Sequence, residues 1–167
     1  MRLSSLSDYA VVMMSACARH CGKRALDASG NQRLARVNAV EIADETGIPL
    51  PTVQKLVSKL SAAGLLRSVR GSGGGFKLAR PAAAVTLADI IEAVEGPIAL
   101  TACVDEGRHD CSLEGACKVQ PHWGAVNDAV RGALANVPLT QLCSGEGRSL
   151  AIKNAEASKA PAFAGAQ

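Results

Sequence analysis

Three cysteines fall within fifteen residues of this chain, spaced Cys103-x7-Cys111-x5-Cys117. Thiolates are soft ligands and select iron–sulfur or copper chemistry over hard cations. A structural zinc site ordinarily presents paired C-x2–4-C knuckles, and these three cysteines form none. Wide spacing on a segment with no sustained period suits a bulkier group, an iron–sulfur cluster, whose core needs thiolates several ångströms apart. The plainer alternative, free cysteines in a loop, fits poorly with three so close together in a chain read as cytoplasmic.

Three thiolates leave a fourth position open. His122 follows Cys117 by five residues, and His109 lies between the cysteines. Imidazole is the softer donor, although a lone histidine beside Trp123 at a helix start is more often structural. Asp8 is distant in sequence but could reach the cluster from another subunit. Cys17 and Cys21 form an i, i+4 pair that could meet each other or a metal. They are read as ordinary helix residues, since cysteine packs as a small hydrophobe. Cys143 is read as unrelated to the cluster.

A second set of residues points to DNA. Between positions 52 and 80 the chain carries Lys55, Lys59, Arg67, Arg70, Lys77 and Arg80, and no Asp or Glu. A local basic stripe is the footprint of phosphate contact. Thr52, Gln54 and Lys55 stand near the start of a helix, the end of a recognition helix that meets base edges. Gln54 could read adenine, and Lys55 guanine or a phosphate. Arg70, with Gly71 and Ser72 at a hairpin tip, could enter the minor groove. Taken singly, each lysine could equally be a solvated surface residue. The absence of acids across the whole stretch favours DNA.

The elements that must position these groups follow from periodicity. Leu6, Ala10, Met13 or Met14, and Cys17 make one stripe, predicting a helix over 3–20 with Ser7 or Asp8 as its cap. Residues 22–36 have no clean period and read as a long loop. Val40, Ile42, Ala43 and Ile48 mark a short helix closed by Thr46-Gly47. Pro49 and Pro51 open the next helix, along which Val53, Leu56, Val57 and Leu60 recur, and Gly64 ends it. Leu65–Arg70, the glycine-rich turn and Phe76–Arg80 then read as a β-hairpin. Helix, turn, helix and basic hairpin is winged-helix order. A helix from Thr86 to Val94 follows, capped by Thr86 and stopped by Gly96-Pro97. After the cysteines, Trp123, Val126, Ala129, Val130, Ala133 and Leu134 define another amphipathic helix, with a last turn over 138–142.

The expected organisation is a winged helix-turn-helix domain over 1–96 with its wing at 65–80, a cluster-binding loop over 97–121, a dimerisation helix over 122–142 and a disordered tail over 143–167. The fold class is mainly α with a small β-hairpin wing. Composition agrees. The chain is 48% hydrophobic but only 2% aromatic, so its core is built from small aliphatic residues that suit close-packed helices. A net charge of +3 neither requires nor excludes nucleic acid. Met1-Arg2-Leu3 and the apolar run to Cys17 superficially resemble a lipoprotein signal. Asp8 at the head of the run argues against that reading, and the run is too short to span a bilayer. There is no GxSxG, no HExxH and no phosphate loop, and Gly73–Gly75 lies in a hairpin rather than a strand-to-helix turn.

With these residues in place, the chain resembles the IscR/NsrR/RirA-type family of bacterial winged-helix regulators. MRLSSLSDYAVV at the start, Pro51–Leu65 with the wing VRGSGGGFKLARP, and the cysteine loop carry the resemblance. LADIIEAVEGPIALTACV, CSLEGAC and HW look most like the branch regulating the SUF iron–sulfur assembly system. The resemblance implies a homodimer through a long helix near 122–136, a palindromic operator, and a 4Fe–4S or 2Fe–2S cluster near the dimer interface on Cys103, Cys111 and Cys117. In IscR-like members a histidine three residues after the last cysteine is the fourth ligand. Here that position is Gln120. In NsrR-like members an N-terminal aspartate of the partner completes the site, and Asp8 matches it, so Asp8 is preferred over His122.

The expected function is repression of iron–sulfur assembly genes when cluster supply is adequate, with no enzymatic activity, small-molecule substrate or membrane partner. The alternatives are a nitric oxide- or iron-responsive repressor of the same family, a zinc- or thiol-based winged-helix regulator, and an electron-transfer protein, which would need no winged helix.

Overall fold

The computed structural model describes residues 3–21, 24–26, 32–34, 36–69, 74–105, 111 and 116–143. The wing-tip residues Arg70, Gly71 and Ser72, the alternative ligand His109, and the tail beyond Cys143 lie outside the described residues.

Helix α1 runs from Ser5 to Cys21. Its stripe of Ala10, Met13, Met14 and Cys17 is fully buried and forms the spine of the core. The N-terminus is capped one turn earlier than the sequence suggests. Ser4 Oγ accepts from the Ser7 amide, and Ser4 O accepts from the Asp8 amide, so Ser7 and Asp8 lie inside the first turn.

The segment read as a loop contains two short strands, β1 (Arg24–Leu26) and β2 (Gln32–Leu34), paired antiparallel. Strands of three residues are too short for alternation to show in sequence.

Helix α2 spans Ala39–Thr46 behind a reciprocal Asn38/Glu41 capping box and stops at Gly47, whose φ of 71° is left-handed. Helix α3 spans Leu50–Ala62 with Pro51 in its first turn, and it buries Val53, Leu56 and Leu60. Val40 points outward, 54% exposed, while Ile42 is fully buried. The wing follows as β3 (Leu66–Val69) and β4 (Gly75–Leu78), antiparallel, with Arg67 opposite Lys77 and Ser68 opposite Phe76. Val37 adds a third edge through reciprocal bonds of 3.1 and 2.9 Å with Phe76. That close approach requires glycine at position 75, where a Cβ would stand 2.6 Å from the Val37 carbonyl oxygen.

Helix α4 (Leu87–Glu95) begins at the predicted cap, with a Thr86/Asp89 capping box, and ends at Gly96. It packs against α1 and α3. Helix α5 (Gln120–Ala135) buries only Asn127. Val126 and Val119 on and beside it are 44% and 55% exposed. The predicted last turn is a separate helix, α6 (Leu139–Cys143), with Leu139 fully buried. It folds back onto α1, and the Leu139 and Leu87 amides donate to Val85 O and Val137 O. The far end of the expected dimerisation segment is therefore core. No helix among the described residues is long and apolar enough to cross a membrane.

Candidate functional site

The helix-turn-helix arises because α3 turns its apolar residues inward. Val53, Leu56 and Leu60 are buried, which leaves Gln54, Lys55 and Ser58 exposed on the outer face and Thr52 half-buried. The turn before α3 is set by left-handed Gly47 and by Pro49, whose carbonyl accepts from the Thr52 and Val53 amides. In the wing, Arg67 is exposed and Lys77 half-buried, and the two face each other across the hairpin. Like charges directly opposed on a sheet are destabilising in isolation, so this arrangement suits an anionic surface laid across the hairpin. Lys55, Arg67 and Lys77 make no ion pair among the described residues.

Two other members of the basic stripe have partners inside the protein. The Lys59 ammonium donates to the Val94 carbonyl at 2.7 Å. The Arg80 guanidinium lies 3.7 Å from the Asp89 carboxylate at the start of α4.

The cysteines come together as a second site. Cys103, Cys111 and Cys117 line one pocket of about 210 Å³ with Thr101, Ala102, Gln120 and Trp123. All three cysteines are partly accessible. The Thr101 hydroxyl stands 3.2 Å from Cys103 Sγ. Among the described residues no three His, Cys, Asp or Glu side chains are gathered tightly enough to close on a single ion. The cysteines share a pocket, not a point. A soft three-thiolate set around a space of this size fits a polynuclear cluster.

Sequence reasoning missed a residue that holds the chain leading into this pocket. Asn127 accepts from the Leu100 amide at 3.1 Å and donates to the Ile98 carbonyl at 2.9 Å. It thereby brackets the chain just before Thr101 and fixes it to α5. Gln120, Trp123 and Asn127 lie at i, i+3 and i+7, one helix face. A bidentate fork joins α5 to α4, with Arg131 Nε and Nη2 donating to Glu92 at 2.7 and 2.9 Å. The Glu92 carboxylate raises the Arg131 pKa above its ordinary value.

Gln120 stands in the pocket, at the position where the resemblance implies a histidine in IscR-like members only. His122 is exposed and does not line the pocket, and Asp8 is exposed on α1. Cys17 is fully buried in the core. Cys143 Sγ donates to Leu139 O at 3.0 Å and lies 3.5 Å from Ser15 Oγ, so it belongs to the α1–α6 contact. Cys21 closes α1.

The α2–turn–α3 unit and its basic hairpin define a winged-helix DNA-binding protein. The family described as "Rrf2: Iron-dependent Transcriptional regulator" matches residues 3–145, and the chain belongs to it. It is thus a DNA-binding transcription regulator, not an enzyme. It is 31% identical to the HTH-type transcriptional regulator IscR of Escherichia coli over 87% of this chain and 82% of that protein. Among solved structures it is similar to CymR, the global cysteine regulator of B. subtilis, at 27% identity and a TM-score of 0.62, covering 86% of this chain and 97% of that one. It is also similar to T. potens IscR, at 26% identity and a TM-score of 0.59, covering 85% of each.

Proposed function

We propose that the protein is a homodimeric repressor of iron–sulfur cluster assembly genes whose DNA binding follows the state of a cluster held by Cys103, Cys111 and Cys117. The observation that carries this reading is the convergence of the three cysteines on one pocket built against α5. When bound, an iron–sulfur cluster supplies a redox-sensitive link among three chain segments. The residues around it do the rest. Asn127 pins the incoming chain, the Thr101 hydroxyl stands ready to hydrogen-bond the Cys103 sulfur, and Trp123 walls the space from α5.

Gln120 in place of a histidine leaves a fourth ligand to come from elsewhere. Asp8 of the partner subunit, exposed near the start of α1, is the proposed donor ahead of His122. Exposed Val126, Ala129 and Ala133 on α5 offer the apolar face for a two-fold dimer. Two copies then present two α3 helices to the half-sites of a palindromic operator. On DNA, Gln54 and Lys55 contact base edges and Thr52 the backbone, while Arg67 and Lys77, with Arg70, Gly71 and Ser72 at the tip, track phosphates and the minor groove.

The cluster can act on DNA binding only through a difference in stability between the DNA-competent state and its alternative. Fluorescence anisotropy with promoter fragments, using cluster-loaded and cluster-free protein, tests the reading. Different affinities for assembly-gene promoters are expected. Equal affinities at every promoter would rule out sensing.

A further inference from the structure

The basic stripe contains one lysine whose ammonium is bound within the protein. Lys59 reaches from the last turn of α3 to the last turn of α4, where its ammonium donates to Val94 O at 2.7 Å. The final carbonyls of a helix lack intrahelical partners and sit at the negative end of its dipole. A charge-assisted bond there is short and strong for its kind. Lys59 is therefore a cap for α4 supplied by the recognition helix.

The end of α4 is tied on its other side as well. Glu95, next to Val94, accepts from the Ser4 amide at 3.2 Å and from the Ser7 hydroxyl, which fixes the start of α1. From there to the cysteine pocket the backbone has little slack. Gly96 N donates to Glu92 O, Ile98 O and Leu100 N are held by Asn127, and Val104 N closes a turn onto Thr101 O around Cys103. These bonds make a continuous tether from Thr101–Cys103 back to Val94. At Val94 the tether meets Lys59 of α3, which shares a helix face with Lys55 at i, i+4 spacing.

We propose that Lys59 is a positioning residue, not a phosphate contact, and that its bond to Val94 O is the joint through which the cysteine pocket and the DNA-reading face of α3 sense each other. The pocket half of this inference rests on the function proposed above.

Coupling between sites is reciprocal, so it can be read from either end. The test compares wild type, Lys59→Met and Lys59→Arg by operator affinity with and without cluster, by the salt dependence of binding, and by amide hydrogen exchange. In cluster-free wild type, operator DNA should slow exchange at the Gly96 and Leu100 amides. The Met variant should lose that protection and the Arg variant keep it. The ratio of loaded to cluster-free affinity should fall to within about twofold of unity in Met, from the roughly 5- to 150-fold typical of such couplings, and recover in Arg. The salt slope should be unchanged in Met, whereas Lys55→Met should lower it by about one. A Met variant that loses a unit of salt slope, or keeps the wild-type protection, would overturn the joint, as would a wild type in which DNA leaves both amides unaffected. Equal affinities in the wild type, with protection intact, would instead overturn the sensing function and leave the joint standing.

Discussion

Arg67 and Lys77 occupy directly opposed positions on the two strands of the wing, so two cations share one face of a short hairpin. Such a pair is electrostatically unfavourable until an anion lies across it. Arg67→Ala and Lys77→Ala should each weaken binding to all duplexes about equally and lower the slope of log affinity against log salt by about one. The same substitutions should leave thermal stability unchanged or slightly raised. Titrations at several salt concentrations check this. A slope identical to wild type would show that the wing does not contact phosphate.

Gly75 is fixed by the Val37 backbone. A Cβ there would stand 2.6 Å from Val37 O, a contact that forces the third edge away from the wing. Gly75→Ala should destabilise the protein by about 1–3 kcal/mol, visible as a lower melting temperature. Gly124→Ala is the control, since nothing lies within 4 Å of a Cβ at that helical position. Equal melting temperatures for the two variants would contradict the close packing of Val37 on β4.

Asn127 holds the approach to the cysteines. Removing its amide in Asn127→Ala leaves the Leu100 amide and Ile98 carbonyl without their partner. The expected cost is about 1–3 kcal/mol, measured by denaturant unfolding of cluster-free protein. Asn127→Asp should keep the Leu100 bond and lose the one to Ile98 O, falling between the two. An Ala variant as stable as wild type would remove Asn127 from this account.

Glu95 gives the stability a pH dependence of definite sign. Hydrogen bonds from the Ser7 hydroxyl, first, and from Ser4 hold its carboxyl below the ordinary glutamate range. A depressed folded-state pKa means stabilisation that is present above the unfolded-state value and lost as pH falls through the folded one. Wild type should therefore lose melting temperature on acidification below the usual carboxylate range more steeply than Glu95→Gln. Glu45 is also depressed, by Arg19 and then His20, but it is common to both proteins and drops out of the comparison. Parallel melting-temperature curves would contradict the role given to Glu95 at the start of α1.

Much of the fold was legible because its signals are local. The Thr86/Asp89 pair announces the start of α4 with both halves of a capping box. Val53, Leu56 and Leu60 mark the inner face of α3, and the glycine run separates two strands that pair in register. The strands β1 and β2 were invisible because three residues cannot display a period. The partners that Lys59 and Arg80 have within the protein were not legible in the sequence. A backbone carbonyl 35 positions away has no side-chain signature, and Asp89 serves the α4 cap as well as Arg80. Asn127 reads as a polar residue on a surface helix, and only the tertiary fold shows it buried against Ile98 and Leu100. The spacing of the cysteines suggested a common site, and all three line one pocket.

The most direct test of the central claim is chemical. Protein purified without oxygen would be assayed for iron, acid-labile sulfide and its visible spectrum, beside a Cys103→Ala, Cys111→Ala, Cys117→Ala triple variant. The account predicts iron and sulfide together in the wild type, with an absorbing chromophore, and both absent from a folded, colourless variant. Zinc without sulfide in the wild type, or iron and sulfide unchanged in the variant, would contradict it.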